Sequence, residues 1–219
     1  MYNYKLINNH YIVNISGYNF LIDTGSPFSF WISSLSKELI IDGKKYYLHN
    51  RPSNFDVQST FDLVGVQLDG FIGMDIISNT GLTIHKDEMI EFKIQEIEGK
   101  PIQTSTSWPL YVQIGSNLMS GKFIIDTGAK YGYGVTSLFY KQEPFDHVQD
   151  YNPTLGHFDS DIYHINIVIG GQKKTIDVCN NKVVASTLMN MGAILIGNVS
   201  TLFENVCVLD TKKGRLILN

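Results

Sequence analysis

Short segments in which apolar and polar residues alternate predict that the chain is built mainly from β-strands. In the first half, residues 11–15 alternate in this way, and Ser16-Gly17 offers a turn. The apolar run at residues 20–22 then ends at Asp23. We therefore expect a hairpin whose second strand leads directly into an aspartate.

The second half repeats this plan. Residues 110–114 alternate, residues 115–117 offer a turn, and the apolar run at residues 123–125 ends at Asp126. Both halves continue with an apolar strand ending in glycine, a helical turn and a hairpin. These elements are predicted at residues up to Gly73, 74–78 and 85–88 in the first half, and at residues up to Gly197, 199–203 and 210–214 in the second.

The repeat indicates an internal duplication of one β-rich unit, and its period, longer than that of common solenoid repeats, favours two lobes over an array. Residues 99–108 are rich in Gly, Pro, Ser and Thr, which is typical of a linker. We therefore predict an all-β fold with an N-terminal lobe at residues 1–98, this linker, and a C-terminal lobe at residues 109–219. The cleft is expected between the lobes.

Composition excludes several classes of protein. The 219 residues are 43% hydrophobic and 17% charged, as in ordinary soluble domains, with a formal net charge of -4. Lys and Arg are scattered without runs, so neither nucleic acid nor a membrane is an expected partner. The N-terminus lacks the pattern of an export signal, and we expect a cytoplasmic protein. Cys179 and Cys207 are expected to be buried free thiols.

The two halves are most alike in the turn that follows each apolar strand. Phe-Leu-Ile-Asp-Thr-Gly at residues 20–25 recurs as Phe-Ile-Ile-Asp-Thr-Gly at residues 123–128. A lone carboxyl group with a pKa near 4 is both a poor acid and a poor base. Two carboxyls about 3 Å apart cannot both ionise, so they share a proton and serve both roles. The repeat therefore indicates that the lobes face each other through their aspartates.

These turns resemble the paired signatures of aspartic proteases, in which each turn is matched by a later apolar-apolar-glycine segment. The residues that carry the resemblance are Asp23-Thr24-Gly25-Ser26 with Phe71-Ile72-Gly73, and Asp126-Thr127-Gly128-Ala129 with Leu195-Ile196-Gly197. The pattern covers nearly the whole chain, although identity to the motif is confined to the turns. Retroviral proteases carry one such unit per chain and dimerise, whereas this chain looks like a fused, minimal version. The resemblance thus implies a two-lobed aspartic protease fold and a monomer.

The resemblance also implies roles for the motif residues. Asp23 and Asp126 would hold the attacking water, one as general base and the other as general acid. Thr24 and Thr127 would each bond to the opposite loop and fix the carboxyls.

The glycines have implied roles as well. Gly25 and Gly128 would leave room for the backbone of the substrate. Gly73 and Gly197 would let each aspartate loop pack against the chain that crosses it.

The residue three positions after each aspartate differs between the halves. Pepsin-like enzymes usually have a hydroxyl there, which can donate to the carboxyl and favour its ionised form. Ser26 keeps that donor for Asp23, but Ala129 has none for Asp126. We therefore expect raised apparent pKa values for the pair, and activity that extends toward mildly acidic or near-neutral pH.

The second half is 21 residues longer between its aspartate and its later glycine. These residues predict a long hairpin turning at Gly170-Gly171, preceded by a small, polar tip at residues 155–161, an arrangement similar to the retroviral flap that closes over substrate. The predicted substrate-binding flap residues are Gly156, His157, Phe158 and Asp159. In the first half, Tyr46 and Tyr47 are either a flap stub or strand residues, and β propensity favours strand.

The sequence indicates neither a metal site nor a cofactor. Its six histidines lack His-x-x-x-His spacing and nearby cysteine pairs, so we interpret them as surface or loop residues. The chain lacks a P-loop, a glycine-rich dinucleotide turn and a Gly-x-Ser-x-Gly motif. Trp31 is expected to fill the core.

Together these features predict an aspartic endopeptidase that hydrolyses a polypeptide bound in extended form in the cleft. One alternative is a catalytically silent, protease-like protein that grips a peptide by β-pairing, which the intact aspartate pair opposes. A second alternative is one half of a homodimeric protease. Such a chain needs only one motif set, so the second set argues against this alternative.

Overall fold

A computed structural model of the chain describes residues 1–32, 38–152 and 156–219. The elements before the linker are β1 (Tyr2–Ile7), β2 (His10–Ile15), β3 (Tyr18–Ile22), β4 (Phe30–Trp31), β5 (Glu38–Ile41), β6 (Lys44–Tyr47), β7 (His49–Asn50), α1 (Val57–Val64), β8 (Gly70–Ile72), α2 (Met74–Thr80), β9 (Leu82–His85) and β10 (Met89–Glu91).

The later elements begin inside the predicted linker. They are β11 (Ile102–Gln103), β12 (Tyr111–Ser116), β13 (Ser120–Ile125), β14 (Gly132–Gly134), a 3-10 helix (Thr136–Phe139), β15 (Asp146–Asn152), β16 (Gly156–Ile169), β17 (Gln172–Asn180), α3 (Lys182–Asn190), β18 (Ala193–Gly197), β19 (Val206–Asp210) and β20 (Arg215–Leu218). Strands dominate, as the alternating pattern predicts.

The same strand arrangement occurs once in each half. Strands β2-β3-β8-β4-β7 are neighbours in the larger sheet, and β12-β13-β18-β14-β17 are neighbours in the smaller one. In both sets the strand that leads to the aspartate runs parallel to the strand with the later glycine motif, and the next strand is antiparallel. The prediction of an all-β, two-lobed fold is confirmed.

The last hairpin of the chain joins the sheet of the first lobe. β19 pairs with β9, and β20 pairs with β11. The larger sheet therefore contains strands from both halves of the chain. The lobe boundary at residues 99–108 stays a prediction.

Strand β2 is covered on both faces beside the first aspartate turn. Its alternating residues pack into the main core on one face, while Ile12 packs with Leu21 and Val64 on the other. Val64 belongs to α1, which the sequence patterns do not predict. This helix is capped by the side chain of Asp56 and ends at Gly65, whose φ of 84° is left-handed. Helix α1 thereby becomes one wall of the region next to Asp23.

Most of the predicted local elements are present. Helix α2 contains the predicted turn at residues 74–78, and the hairpins β9–β10 and β19–β20 have their turns where predicted. The second predicted helical turn is a single turn, closed by a 2.8 Å hydrogen bond from the Leu202 N–H to the Val199 carbonyl. Helix α3 is an addition that the patterns do not predict.

The structure also tests the expectations for individual tyrosine, tryptophan and cysteine residues. Tyr46 and Tyr47 are strand residues in β6. Trp31 is buried in the main core. Cys179 and Cys207 are both buried and free.

Candidate active site

Asp23 and Asp126 lie at equivalent ends of equivalent strands. The Asp23 N–H donates to the carbonyl of Ile72 at 2.9 Å, and the Asp126 N–H donates to the carbonyl of Gly197 at 2.9 Å. Each aspartate thus leaves its strand at the point where the apolar-apolar-glycine strand ends beside it.

The two threonines lock the loops together through reciprocal hydrogen bonds. The Thr24 N–H donates to Thr127 Oγ1 and the Thr127 N–H donates to Thr24 Oγ1, each at 3.0 Å. The Thr24 hydroxyl then donates to the carbonyl of Ile125 at 2.8 Å, and the Thr127 hydroxyl donates to that of Ile22 at 2.7 Å. Both side chains are fully buried. The predicted contact of each threonine with the opposite loop is confirmed.

Backbone donors orient both carboxyls. The N–H groups of Gly25 and Ser26 donate to Asp23 Oδ1 at 2.9 and 3.1 Å, and the Gly128 N–H donates to Asp126 Oδ1 at 2.9 Å. These donors fix the orientation of each carboxyl within its own loop.

The environment raises the pKa of both aspartates. Burial is the largest cause for Asp23, followed by the charge of Asp126 and a hydrogen bond between the two carboxyls, and its pKa lies well above the usual range. Burial also raises the pKa of Asp126, against the lowering effect of the backbone donors. Two carboxyls in contact with raised pKa values are suited to hold one proton between them.

The structure shows a role for Gly25 and Gly128 in addition to the one expected from the sequence. A Cβ on Gly25 would lie 2.5 Å from the carboxyl of Asp126, and a Cβ on Gly128 would lie 2.6 Å from that of Asp23. These glycines therefore make room for the opposite aspartate, in addition to any space they leave for a ligand.

The later glycines match their expected role. A Cβ on Gly73 would lie 2.7 Å from the carbonyl group of Phe28, on the chain that crosses it. A Cβ on Gly197 would lie 3.0 Å from the Cα of Gly132. The close approach of backbone to backbone requires glycine at both positions.

The Ser26 hydroxyl also differs from expectation. It donates to the carbonyl of Phe28 at 2.8 Å, and only the Ser26 N–H reaches Asp23. The sequence predicts a side-chain donor at Ser26 and none at Ala129. This prediction is wrong for Ser26, because neither side chain donates to a carboxyl. Burial raises the pKa of both aspartates, and the contact with Asp126 raises that of Asp23 further.

A cavity of about 390 Å³ opens over the two aspartates and is lined by both lobes. The first lobe contributes apolar side chains that include Leu21, Phe55 and Phe71. The second lobe contributes Tyr151 and Phe158 from the hairpin of β15 and β16. A side chain bound in this cavity lies next to the carboxyl pair.

The predicted flap residues lie on this hairpin, but only one of them faces the cavity. Phe158 lines the cavity, whereas His157 and Asp159 are exposed because neighbouring residues of a strand point to opposite faces. The His157 ring lies 3.5 Å from Ser59 in α1, so the hairpin reaches across to the first lobe. Gly156 has a left-handed φ of 75° at the start of β16. Position 155 of the predicted tip lies outside the described residues.

Four residues near the site are not identified as site residues by the sequence analysis. Trp108, in the predicted linker, donates its indole N–H to the carbonyl of Gly25 at 3.1 Å. His10, Tyr133 and Asp150 line the cavity beside the aspartates. The prediction that the histidines are surface or loop residues is wrong for His10, which is fully buried in β2, on the strand face where Ile12 packs with Val64 of α1.

The remaining histidines do not enter the cavity. His85 is half-buried in β9, and the exposed ones are His49, His147, His157 and His164. Within residues 1–32, 38–152 and 156–219, no group of three or more His, Cys, Asp or Glu side chains is arranged to hold a metal ion. None of the helices in these ranges has the length and apolar character needed to span a bilayer.

Comparison with solved structures gives a distant likeness. No family model matches the chain, and no curated protein matches it. Among solved structures, the solution structure of simian foamy virus (mac) protease aligns with a TM-score of 0.32 and 14% identity. The alignment covers 47% of this chain and 91% of that one. At this level of similarity the comparison assigns no activity, and function has to be inferred from the site itself.

Proposed function

We propose that the chain is an aspartic endopeptidase. The observation that carries this proposal is the pair of buried carboxyls held against each other by the reciprocal hydrogen bonds of Thr24 and Thr127. A protein that only bound peptides would gain nothing from two carboxyls whose ionised forms repel each other. When the pair holds one proton, however, one carboxyl can act as a base and the other as an acid.

In the proposed reaction, a water molecule is held between Asp23 and Asp126. The ionised carboxyl removes a proton from this water as the oxygen attacks the carbonyl carbon of the scissile peptide bond. The protonated carboxyl donates its proton to the carbonyl oxygen, which gives a neutral diol intermediate. The aspartate that took the proton from water then gives it to the amide nitrogen, the other aspartate takes a proton from a diol hydroxyl, and the C–N bond breaks to release a carboxylic acid and an amine.

The remaining parts of the site support this reaction. The backbone donors at Gly25, Ser26 and Gly128 fix the carboxyls without adding charge. The hairpin end with Tyr151 and Phe158 covers the cavity and lowers access of bulk water to the bound peptide. We propose that this hairpin acts as the flap, that the substrate is an extended polypeptide, and that one chain is active as a monomer.

The test is cleavage of a complex peptide library at pH 3 to 8 by the wild type and by the Asp23→Asn and Asp126→Asn variants. Each Asn variant keeps the shape of the side chain and removes its acid–base chemistry. We expect the wild type to cleave and both variants to be inactive while still folded by circular dichroism. If the wild type binds library peptides without cleaving any, the alternative of a silent peptide-binding protein is correct.

A further inference from the structure

Asp150 is a second carboxyl in the cleft, apart from the two aspartates of the proposed reaction. It lies on β15, is 6% exposed, and lines the same cavity as Asp23 and Asp126. The Tyr133 hydroxyl donates to Asp150 Oδ2, and the Tyr151 N–H donates to Asp150 Oδ1 at 2.9 Å. The carboxyl is therefore fixed in position by two donors.

Neither of these two donors carries a positive charge. Among the residues that the structure describes, no Lys, Arg or His nitrogen lies within 4.0 Å of the Asp150 oxygens. Lys130 lines the same cavity, but its ammonium group lies over the ring of Tyr131, 5.0 Å from the ring centre. A buried carboxylate that lacks a counter-charge is costly, so a site of this kind favours a cation supplied by a bound molecule.

A buried nitrogen without a partner lies in the same cavity. His10 is fully buried, its Nδ1 is 3.3 Å from the carbonyl of Ile7, and its Nε2 has no hydrogen-bond partner. Burial is the largest influence on the pKa of His10 and lowers it, as does the charge of Lys130, whereas the Ile7 carbonyl, the Asp150 charge and the Gly128 carbonyl raise it. In the neutral ring with the proton on Nδ1 toward Ile7, Nε2 is a hydrogen-bond acceptor. The cavity thus presents a second acceptor besides the carboxylate.

The position of His10 connects this acceptor to the reaction centre. Strand β2 pairs with β3 in a register that sets Ile12 opposite Leu21. Continued by two residues, the same register sets His10 opposite Asp23, and both residues line the cavity. A side chain that reaches His10 therefore belongs to a residue close to the scissile bond.

The walls of the cavity suit a long side chain with a charged end. Phe55, Phe71 and Phe158 can cover a stem of methylene groups, as apolar surfaces do for lysine and arginine. Aromatic rings also attract a cation that lies over their faces. A guanidinium group offers five N–H donors in a planar fork, enough for the Asp150 carboxylate and the His10 nitrogen at once.

We infer that the part of the cleft formed by Asp150, Tyr133 and His10 is a subsite for a basic side chain, arginine above all, next to the scissile bond. This inference rests on the proposed peptidase function and names its substrate class. In it, Asp150 and His10 contact the substrate, and Tyr133 is a positioning residue that holds the Asp150 carboxyl.

The test uses two peptides that differ only at the residue next to the scissile bond, which is arginine in one and citrulline in the other. Citrulline keeps the length and shape of arginine but carries no charge. We expect the wild type to cleave the arginine peptide with a kcat/KM about tenfold or more higher, as for a charge-assisted hydrogen bond. A wild-type ratio below about threefold would overturn the inference, whatever the variants do.

Asp150→Asn should reduce the ratio to below about threefold, because the amide keeps the shape and loses the charge. The matched control is Asp146→Asn, which removes an exposed carboxylate from the same strand outside the cavity and should leave the ratio at the wild-type value. An unchanged ratio in Asp150→Asn would show that the carboxylate does not select the substrate. If that variant does not fold, Tyr133→Phe is measured instead, and it should lower the ratio at least threefold by releasing the carboxyl.

Binding to the Asp126→Asn variant separates the two proposals. The dissociation constants of the uncut arginine and citrulline peptides are measured by fluorescence anisotropy. Tighter binding of the arginine peptide by about tenfold, together with a wild type that cleaves neither peptide, would leave the subsite standing and reject the peptidase. Equal binding, together with cleavage of both peptides by the wild type, would reject the subsite and leave the peptidase standing.

Discussion

Replacing Thr24 with valine tests how much of the fold depends on the contact between the two aspartate loops. Valine has nearly the shape of threonine but no hydroxyl. The Thr24 hydroxyl donates to the Ile125 carbonyl at 2.8 Å and accepts from the Thr127 N–H at 3.0 Å. The variant therefore leaves one carbonyl and one N–H without their partners at a fully buried position.

The size of the effect follows from these two groups. A buried polar group without a partner costs about 1–3 kcal/mol, so Thr24→Val should lower the free energy of unfolding by roughly 2–6 kcal/mol. This loss is a large part of the ~5–15 kcal/mol that stabilises a typical domain. Thr24→Ser is the matched control, since it keeps the hydroxyl and loses one methyl group, at a cost of about 1 kcal/mol.

The assay is urea unfolding followed by circular dichroism and by tryptophan fluorescence, with kcat/KM measured on the folded variants. We expect the midpoint of Thr24→Val to fall well below that of Thr24→Ser, and its activity to fall because the carboxyls lose their fixed separation. If the two variants unfolded within about 0.5 kcal/mol of each other, the reciprocal hydrogen bonds would not be what holds the loops together.

Three further outcomes are expected. Gly25→Ala should abolish activity because its Cβ would lie 2.5 Å from the opposite carboxyl, whereas Gly115→Ala, which meets no atom within 4 Å, should be active; similar kcat/KM values would contradict this. Because the pKa values of both aspartates are raised, the stability that the pair contributes is complete below pH ~4 and is lost as pH rises through those raised values. The unfolding free energy of the wild type should thus fall more steeply than that of Asp126→Asn as pH rises above about 4, and parallel urea-derived curves would refute the sharing of a proton. Ser26→Ala should leave the acidic limb of the kcat/KM profile within about 0.5 pH unit, since the hydroxyl donates to a backbone carbonyl; a larger upward shift would show that it reaches the carboxyl in the working enzyme.

The strands and the aspartate turns could be predicted from the sequence because their signals are local. Residues 11–15 alternate with a period of two, and each Asp-Thr-Gly follows an apolar run that ends at its aspartate. The pairing of the turns could be predicted from the duplication, since each motif recurs in the same context. The exchange of hydrogen bonds between Thr24 and Thr127 is what the resemblance to aspartic proteases implies.

The cavity walls could not be predicted in the same way, because they depend on contacts between distant segments. The alternation in β2 indicates one buried face, and only α1 shows that the face with His10 and Ile12 is buried too. Asp150 shares a strand face with Val148, which packs against the main core, and this alternation is the signal that could have indicated its burial. Its contact with Tyr133 depends on strand pairing that the sequence does not specify.

The roles of Gly25 and Ser26 show a second limit of sequence reasoning. A motif identifies the residues that lie together, but not which atom each one meets. The space beside Gly25 is filled by the carboxyl of Asp126, and the Ser26 hydroxyl turns to the carbonyl of Phe28. What Gly25 contacts depends on the position of the opposite lobe, and the partner of the Ser26 hydroxyl depends on the loop that follows it.

The most direct test of the central claim is a double-mutant comparison of the two aspartates. It measures kcat/KM for the wild type, Asp23→Asn, Asp126→Asn and the double variant on one peptide that the wild type cleaves. If the carboxyls act as one unit, each single variant loses about 10³-fold or more, and the double variant is no less active than the weaker single variant. A single variant that keeps more than about a tenth of wild-type activity, or losses that multiply in the double variant, would contradict the shared-proton dyad.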